Sequence, residues 1–238
     1  MGDAQEAGQT GVHGAGIGSR SVLCEGWRNL SLALRHTLPM NRPIRLERPT
    51  PEQIAALPAY PALPLSRIHV LRTAEQFEFA EHELRKAIHV GFDTESKPVF
   101  VAGVPHTGPD IVQFATTEHA FIIQTALPEA GDFLRAMIAS DDVIKVGFGL
   151  ASDRPQLHRK LGVQLGQSID LSYMVRRLGF KDAVGLKTAV AVVLKQRLQK
   201  SKKATTSNWA TATLSPQQLQ YAANDAHASL LVYKALSA

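Results

Sequence analysis

Asp93 and Glu95 stand two residues apart at the end of the apolar run Val90-Gly91-Phe92. On a strand, that spacing sends both carboxylates to the same side. Carboxylates beside a core are costly unless something compensates them, and a hard divalent cation with oxygen ligands would do so. The plainer alternative is a strand end with two solvated acids. A third acid, Asp153, follows Val146-Gly147-Phe148-Gly149-Leu150-Ala151-Ser152, where a buried strand leads through glycines into a helix. An aspartate at a helix start also has an ordinary explanation, as a cap or as a partner of the helix dipole. Tyr221 and Asp225 are spaced i, i+4 and share one helix face, which Ala228 and Val232 continue. That face points inward, and an inward aspartate needs a partner that a metal would supply; the competing reading is an ordinary amphipathic helix. No histidine or cysteine cluster accompanies the acids, so the donor set favours Mg2+ or Mn2+ over zinc.

The elements that must hold these residues can be read from pattern. Residues 68–72 read as a short strand. Thr73, with Gln76 three residues on, is placed to cap a helix running to about residue 86. Residues 90–94, 111–115 and 120–123 read as strands, the last two paired as a hairpin across 116–119. A helix over 129–138 and a buried strand over 143–148 follow. Residues 155–161 read as a helix ended by Gly162. Further helices are expected over 171–178, 186–197 and 215–236, the last with Ser215 as cap and Pro216 at its first position. Strands with a hairpin, then alternating strand and helix, predict an α/β domain with a mixed central sheet flanked by helices, spanning residues 65–238. Residues 1–64 read as a disordered tail and a Pro-rich arm. Six of the seventeen glycines fall within the first eighteen residues, which carry little apolar surface to offset ordering entropy. Residues 20–38 are mixed enough for a short helix.

Taken in order, the three acidic sites resemble the three exonuclease motifs of the DEDD superfamily. Tyr221 marks the tyrosine subclass, DEDDy; the histidine subclass carries its histidine five residues before the last aspartate, where this chain has Gln220. The chain looks like the RNase D and Werner-exonuclease branch, from about residue 68 to 236. Supporting matches are Val112-Gln113-Phe114-Ala115 and Ala120-Phe121-Ile122-Ile123, Asp170-Leu171, Gly185-Leu186-Lys187, Ser207-Asn208-Trp209 and Leu214-Ser215-Pro216-Gln217-Gln218-Leu219. The resemblance implies an RNase H-like exonuclease fold and 3′→5′ hydrolysis with release of nucleoside 5′-monophosphates. It implies that Asp93 bridges two divalent metal ions and that Glu95 and Asp225 are further ligands of the water-activating ion. Asp153 would support the second ion and Tyr221 would orient the attacking water. Two such ions stabilise both the attacking and the leaving oxygen of an in-line displacement.

The chain has 238 residues, 45% of them hydrophobic, enough for one domain with a buried core and an appendage. No apolar run approaches the roughly 18 residues of a membrane helix, and the start does not read as a secretory signal. Cys24 is the only cysteine, which excludes an internal disulfide and a cysteine zinc cluster and suits the cytoplasm. The net charge of +5 is compatible with a polyanionic partner, here single-stranded or 3′-recessed nucleic acid. Five basic residues, Lys195, Arg197, Lys200, Lys202 and Lys203, crowd into nine positions ahead of Trp209. Beside a nuclease site, Lys200, Lys202 and Lys203, together with Lys97, are candidate phosphate contacts. Trp209 is a candidate for base stacking, or else a buried support for the last motif. A different two-metal phosphohydrolase would need only Asp93 and Glu95 and would leave the other two motifs as coincidences. A silent binding module would be favoured by loss of an acid, and all four are present.

Overall fold

The computed structural model describes residues 46–99, 107–200 and 202–238, the side chain of Lys202 excepted. The expected helix over 20–38 and most of the expected tail lie outside them. No helix among the described residues is long and apolar enough to cross a membrane. The Pro-rich arm carries an unanticipated helical turn, α1 (Pro51–Ala55), closed by a capping box between Thr50 and Gln53. Ile54, Tyr60 and Leu63 bury themselves, so this part of the arm packs rather than trails. A 3-10 turn (Leu65–Arg67) leads into strand β1 (Ile68–Val70). Helix α2 (Ala74–Ala87) starts with the Thr73–Gln76 capping box read from sequence, and its buried Phe77, Ala80 and Leu84 share one face.

Strands β3 (Ile111–Ala115) and β4 (Ala120–Gln124) form the expected hairpin, and β2 (His89–Glu95) pairs antiparallel with β3, Asp93 opposite Gln113. Helix α3 (Ala130–Ala139) and strand β5 (Ile144–Gly147) follow. Helix α4 (Leu150–Leu161) begins five residues before the expected start. Pro155 sits inside it, deleting one intrahelical hydrogen bond without ending the helix. A three-residue strand, β6 (Ser168–Asp170), escaped the sequence reading and leads directly into α5 (Leu171–Arg176). The sheet order is β1-β4-β3-β2-β5-β6, with β3 alone antiparallel to its neighbours.

The helix expected over 186–197 is shorter. Helix α6 (Leu186–Ala189) widens into a π-helical turn (Val190–Leu194), which ends at Lys195 in the left-handed region, φ 56°. Beyond it Arg197 pairs with the arm, its N–H donating to Pro58 O at 2.7 Å while its carbonyl accepts from Tyr60 N at 3.0 Å. That pairing overrides helix propensity. A short helix α7 (Lys202–Thr205) and the long helix α8 (Pro216–Ser237) complete the chain; α8 opens on a Ser215–Gln218 capping box with Pro216 at its first position. One face of the sheet packs Phe92, Phe114, Phe121 and Ile123 against Phe77, Leu84, Leu134 and Met137. The other packs Ile111, Ala115 and Ile122 against Ala222, Ala223 and Ala226 of α8. Small residues bring that helix close to the strands: Ala226 O lies 1.9 Å from where a Cβ on Gly91 would be.

Candidate active site

Strand β2 ends in Asp93 and Glu95, and β5 lies parallel beside it, with Gly91 paired to Val146. Their carboxyl ends therefore open at the same edge of the sheet, where α/β folds bind ligands. At Gly147 the strands approach so closely that a Cβ would lie 2.5 Å from Phe92 O. After β5 the chain turns through Gly149, φ 69°, whose N–H donates to Asp170 Oδ1 at 3.0 Å. The same Oδ1 accepts from the N–H of Ser172, capping α5. Asp170 thus ties the turn that launches α4 to the start of α5, a role the sequence marked only by resemblance.

Asp153 sits in the first turn of α4 and is buried, 8% exposed. The cap position belongs to Gly149, and no side chain caps this helix. The Asp153 carboxylate instead accepts from Thr94 Oγ1 at 2.5 Å. Thr94 lies between the two acids of β2, so it joins α4 to the strand end. The capping explanation for Asp153 fails, and Thr94 is a site residue that sequence reading passed over.

Asp225 is 2% exposed on α8. One carboxylate oxygen each from Asp93, Glu95 and Asp225 lies within 4.8 Å of the others, the arrangement a single cation needs. Asp225 Oδ1 is buried and has no hydrogen-bond partner among the described residues. An orphaned carboxylate oxygen among acids fits a hard cation. Asp153 stands outside this trio. Burial raises the carboxyls, and like charges add to it: Asp93 is held well above the usual carboxylate range by burial, then by Asp225 and Asp153. Glu95 is pushed up to about 9 by burial, then by Asp93 and Asp225. Burial likewise raises Asp153 and Asp225, in the latter against the pull of Lys200.

Lys200 Nζ donates to Asp225 Oδ2 at 2.5 Å and lies 5.3 Å from the centroid of the Tyr221 ring. Tyr221 packs on Trp209 at 5.9 Å between ring centroids, and its hydroxyl accepts from Thr205 Oγ1 at 3.2 Å. Burial, then the Asp225 charge, raise its phenol above the ordinary value, so it stays neutral.

The structure brings Asp93, Glu95, Asp153, Tyr221, Asp225 and Lys200 together. It gives Trp209 no exposed surface, so the indole has no face for a base; stacking is withdrawn in favour of support for Tyr221. Lys97 and Lys203 are exposed, and Lys97 N donates to Asp110 Oδ2 at 2.7 Å. His227 accepts from Tyr60 Oη through Nδ1 at 2.6 Å and reaches Thr117 O through Nε2 at 3.3 Å, fastening the arm to α8.

In the absence of a divalent ion, thermal stability is expected to fall as pH rises from about 5 to about 9. The unfolded chain ionises Glu95 near 4.5, whereas the folded chain keeps it protonated up to about 9. Across that window the unfolded state binds fewer protons, so each step up in pH favours unfolding. A bound divalent ion removes the effect by neutralising the trio. Melting curves across this range, with EDTA and with Mg2+, check this; a flat or rising melting temperature in EDTA would refute it.

A family model described as 3′-5′ exonuclease matches residues 68–238. An Arabidopsis thaliana 3′-5′ exonuclease is 28% identical over 227 residues, covering 83% of this chain and 78% of that protein. The Drosophila melanogaster exonuclease 3′-5′ domain-containing protein 2 is 36% identical over 103 residues, 43% of this chain but only 18% of its own length. Among solved structures, the Aedes aegypti Nibbler EXO domain superposes with a TM-score of 0.62 at 24% identity, covering 74% of this chain and 89% of that one, which shows the shared RNase H-like exonuclease fold. With a mixed sheet that gathers its acids at one edge and a family match spanning the whole of that sheet, the chain belongs to the 3′-5′ exonuclease family.

Proposed function

We propose that Asp93, Glu95 and Asp225 hold a divalent ion, Mg2+ or Mn2+, that Asp153 supports a second, and that the site hydrolyses the terminal phosphodiester bond at the 3′ end of single-stranded or 3′-recessed nucleic acid, releasing nucleoside 5′-monophosphates. The observation that carries this reading is the convergence of three carboxylates within 4.8 Å, from β2 and from α8 more than a hundred residues later, beside Tyr221. Bound ions would polarise the attacking water and neutralise charge on the leaving oxygen. The rest falls to this chain's own residues. Asp93 and Glu95 are fixed by the β2 ladder, Asp225 by the buried stretch of α8, and Asp153 by Thr94. Tyr221, neutral and held by Thr205 and Trp209, serves as a hydrogen-bonding group that orients water rather than as a base. Lys200, Lys202, Lys203 and Lys97 are the proposed phosphate contacts; such contacts carry no sequence information, so little sequence preference follows. With a single cysteine, we assign the enzyme to the reducing cytoplasm.

The test uses oligonucleotides labelled at either end, in DNA and RNA versions, with Mg2+, Mn2+ or EDTA. A 3′ label should appear at once as mononucleotide, while a 5′ label shortens stepwise, and EDTA should stop both. Early release of a 5′-labelled mononucleotide, or turnover undiminished in EDTA, would overturn the assignment. Tyr221→Phe should lower kcat by about a hundred-fold with little change in KM, since it removes one orienting hydroxyl and no ligand. Steady-state kinetics on the same substrate decide this, a raised KM at unchanged kcat being the contrary result.

A further inference from the structure

Lys200 is more constrained than a phosphate-contacting lysine on a solvated loop would be. Its Nζ is 2.5 Å from Asp225 Oδ2, and its side chain is only 28% exposed. The loop that carries it is fastened to the arm, outside the region matched by the family model. Ala59 bridges to Arg197, and Arg197 Nη1 donates to Ala55 O at 3.2 Å. Leu198 is buried, 1% exposed, which fixes the chain two residues before Lys200. The arm in turn is held by Tyr60 on His227 and by Gln220 Nε2 on Leu63 O at 3.1 Å. The basic run is therefore partly structural: Arg197 anchors the arm, and Lys200 is delivered to the acidic trio.

We propose that Lys200 is a resident counter-cation of the metal site, balancing Asp225 when no divalent ion is bound and competing with the ion for the same carboxylate charge. Four acids gather here, and this ammonium is the one cation that the described residues bring into contact with any of the trio. An ion bound to the trio, whichever oxygen of Asp225 it takes, would lie next to the ammonium, and two cations so close in a buried site repel strongly. One of them must give way. Space for the lysine to retract exists, because an open cavity of about 500 Å3 adjoins it, lined by Ile54 of the arm, Gln199, Gln217, Tyr221 and Asn224 as well as Lys200 itself. A lysine displaced from Asp225 is then free to take a phosphate oxygen of the substrate, so loading of the ion and of the strand would assist each other. The divalent affinity of the free enzyme is thus set below what the acids alone would give.

This inference rests on the carboxylate trio being a metal site, and the experiment separates the two. Mn2+ is titrated into the full chain without nucleic acid, and the dissociation constant is read from the electron paramagnetic resonance signal of free Mn2+. Lys200→Met, which keeps an unbranched side chain one atom shorter and removes its charge, should bind Mn2+ at least ten-fold more tightly than the unaltered chain. Lys200→Arg, which keeps the charge, should bind it about as the unaltered chain does. Equal or weaker binding by Lys200→Met overturns the counter-cation role, and so does tightening by Lys200→Arg of the same size. If Lys200→Met does not fold, Lys200→Gln replaces it with the same expectation. An unaltered chain that binds no Mn2+ would instead sink the metal site itself.

Discussion

Asp93→Asn is expected to lower kcat by about three orders of magnitude, roughly 4 kcal/mol of transition-state stabilisation, while raising the melting temperature in EDTA. Both effects follow from one geometry. Asp93 is central to the acids: it shares the trio with Glu95 and Asp225, and its carboxyl feels Asp225 and Asp153. Without a cation, an acid buried here is destabilising, because it must either carry its charge beside the others or take up a proton to avoid doing so, and asparagine removes that cost at nearly constant shape. With a cation, the lost carboxylate weakens the site that turnover depends on. The gain in melting temperature should accordingly shrink or reverse when Mg2+ replaces EDTA. Kinetics on a 3′-labelled oligonucleotide and paired melting curves measure the two halves. Because asparagine preserves volume and the β2 ladder is made by backbone, unfolding cannot account for a loss of rate. A variant that turns over normally would remove Asp93 from the mechanism.

How far this site was legible in the sequence depended on how local each signal was. The spacing of Asp93 and Glu95, the capping box at Thr73, the cap at Ser215 and the hairpin across 116–119 are set by residues within a few positions of one another, and the structure has each of them. The partner of Asp153 is Thr94, 59 residues away, and that of Lys200 is Asp225, 25 residues away. Nothing in a one-dimensional pattern distinguishes such a pair from two solvated side chains. The same limit applied to Arg197, which looked like one more cation in a basic run and is committed to the arm through Ala55, Pro58 and Tyr60. Neither β6 nor α1 lies in an apolar run like those that marked the equally short β1, β3, β4 and β5: β6 is Ser168-Ile169-Asp170, and α1 has Ile54 and Ala55 as its only apolar side chains beyond Pro51. Gln113 shows a further limit. Its side-chain amide is fully buried opposite Asp93 with neither polar atom paired among the described residues, yet its sequence context reads only as a strand.

Gly91→Ala is expected to damage both stability and activity, and the cause lies in backbone rather than side chain. A Cβ at residue 91 would meet Ala226 O at 1.9 Å and Ala226 C at 2.6 Å. Ordinary van der Waals contact begins near 3.4 Å, so β2 and α8 would have to part by about 1.5 Å. Overpacking of this kind costs about 3 kcal/mol or more where neither side can yield. Here α8 is buried continuously from Tyr221 to Leu230, and β2 is paired on both edges. The two elements forced apart are the ones that carry the trio, Asp93 and Glu95 on β2 and Asp225 on α8. Whatever fraction of Gly91→Ala folds should therefore bind Mn2+ more weakly and lose about a hundred-fold in kcat, the scale of a misplacement near 1 Å. Because the obstacle is a main-chain carbonyl, Ala226→Gly should not rescue the variant. Gly185→Ala supplies the control, since a Cβ there meets nothing within 4 Å and its φ of −83° suits any residue. Denaturant melts, Mn2+ titration and kinetics on the three variants decide the matter. Rescue by Ala226→Gly would mean that side-chain crowding, and not the approach of α8's backbone to β2, sets the geometry of the site.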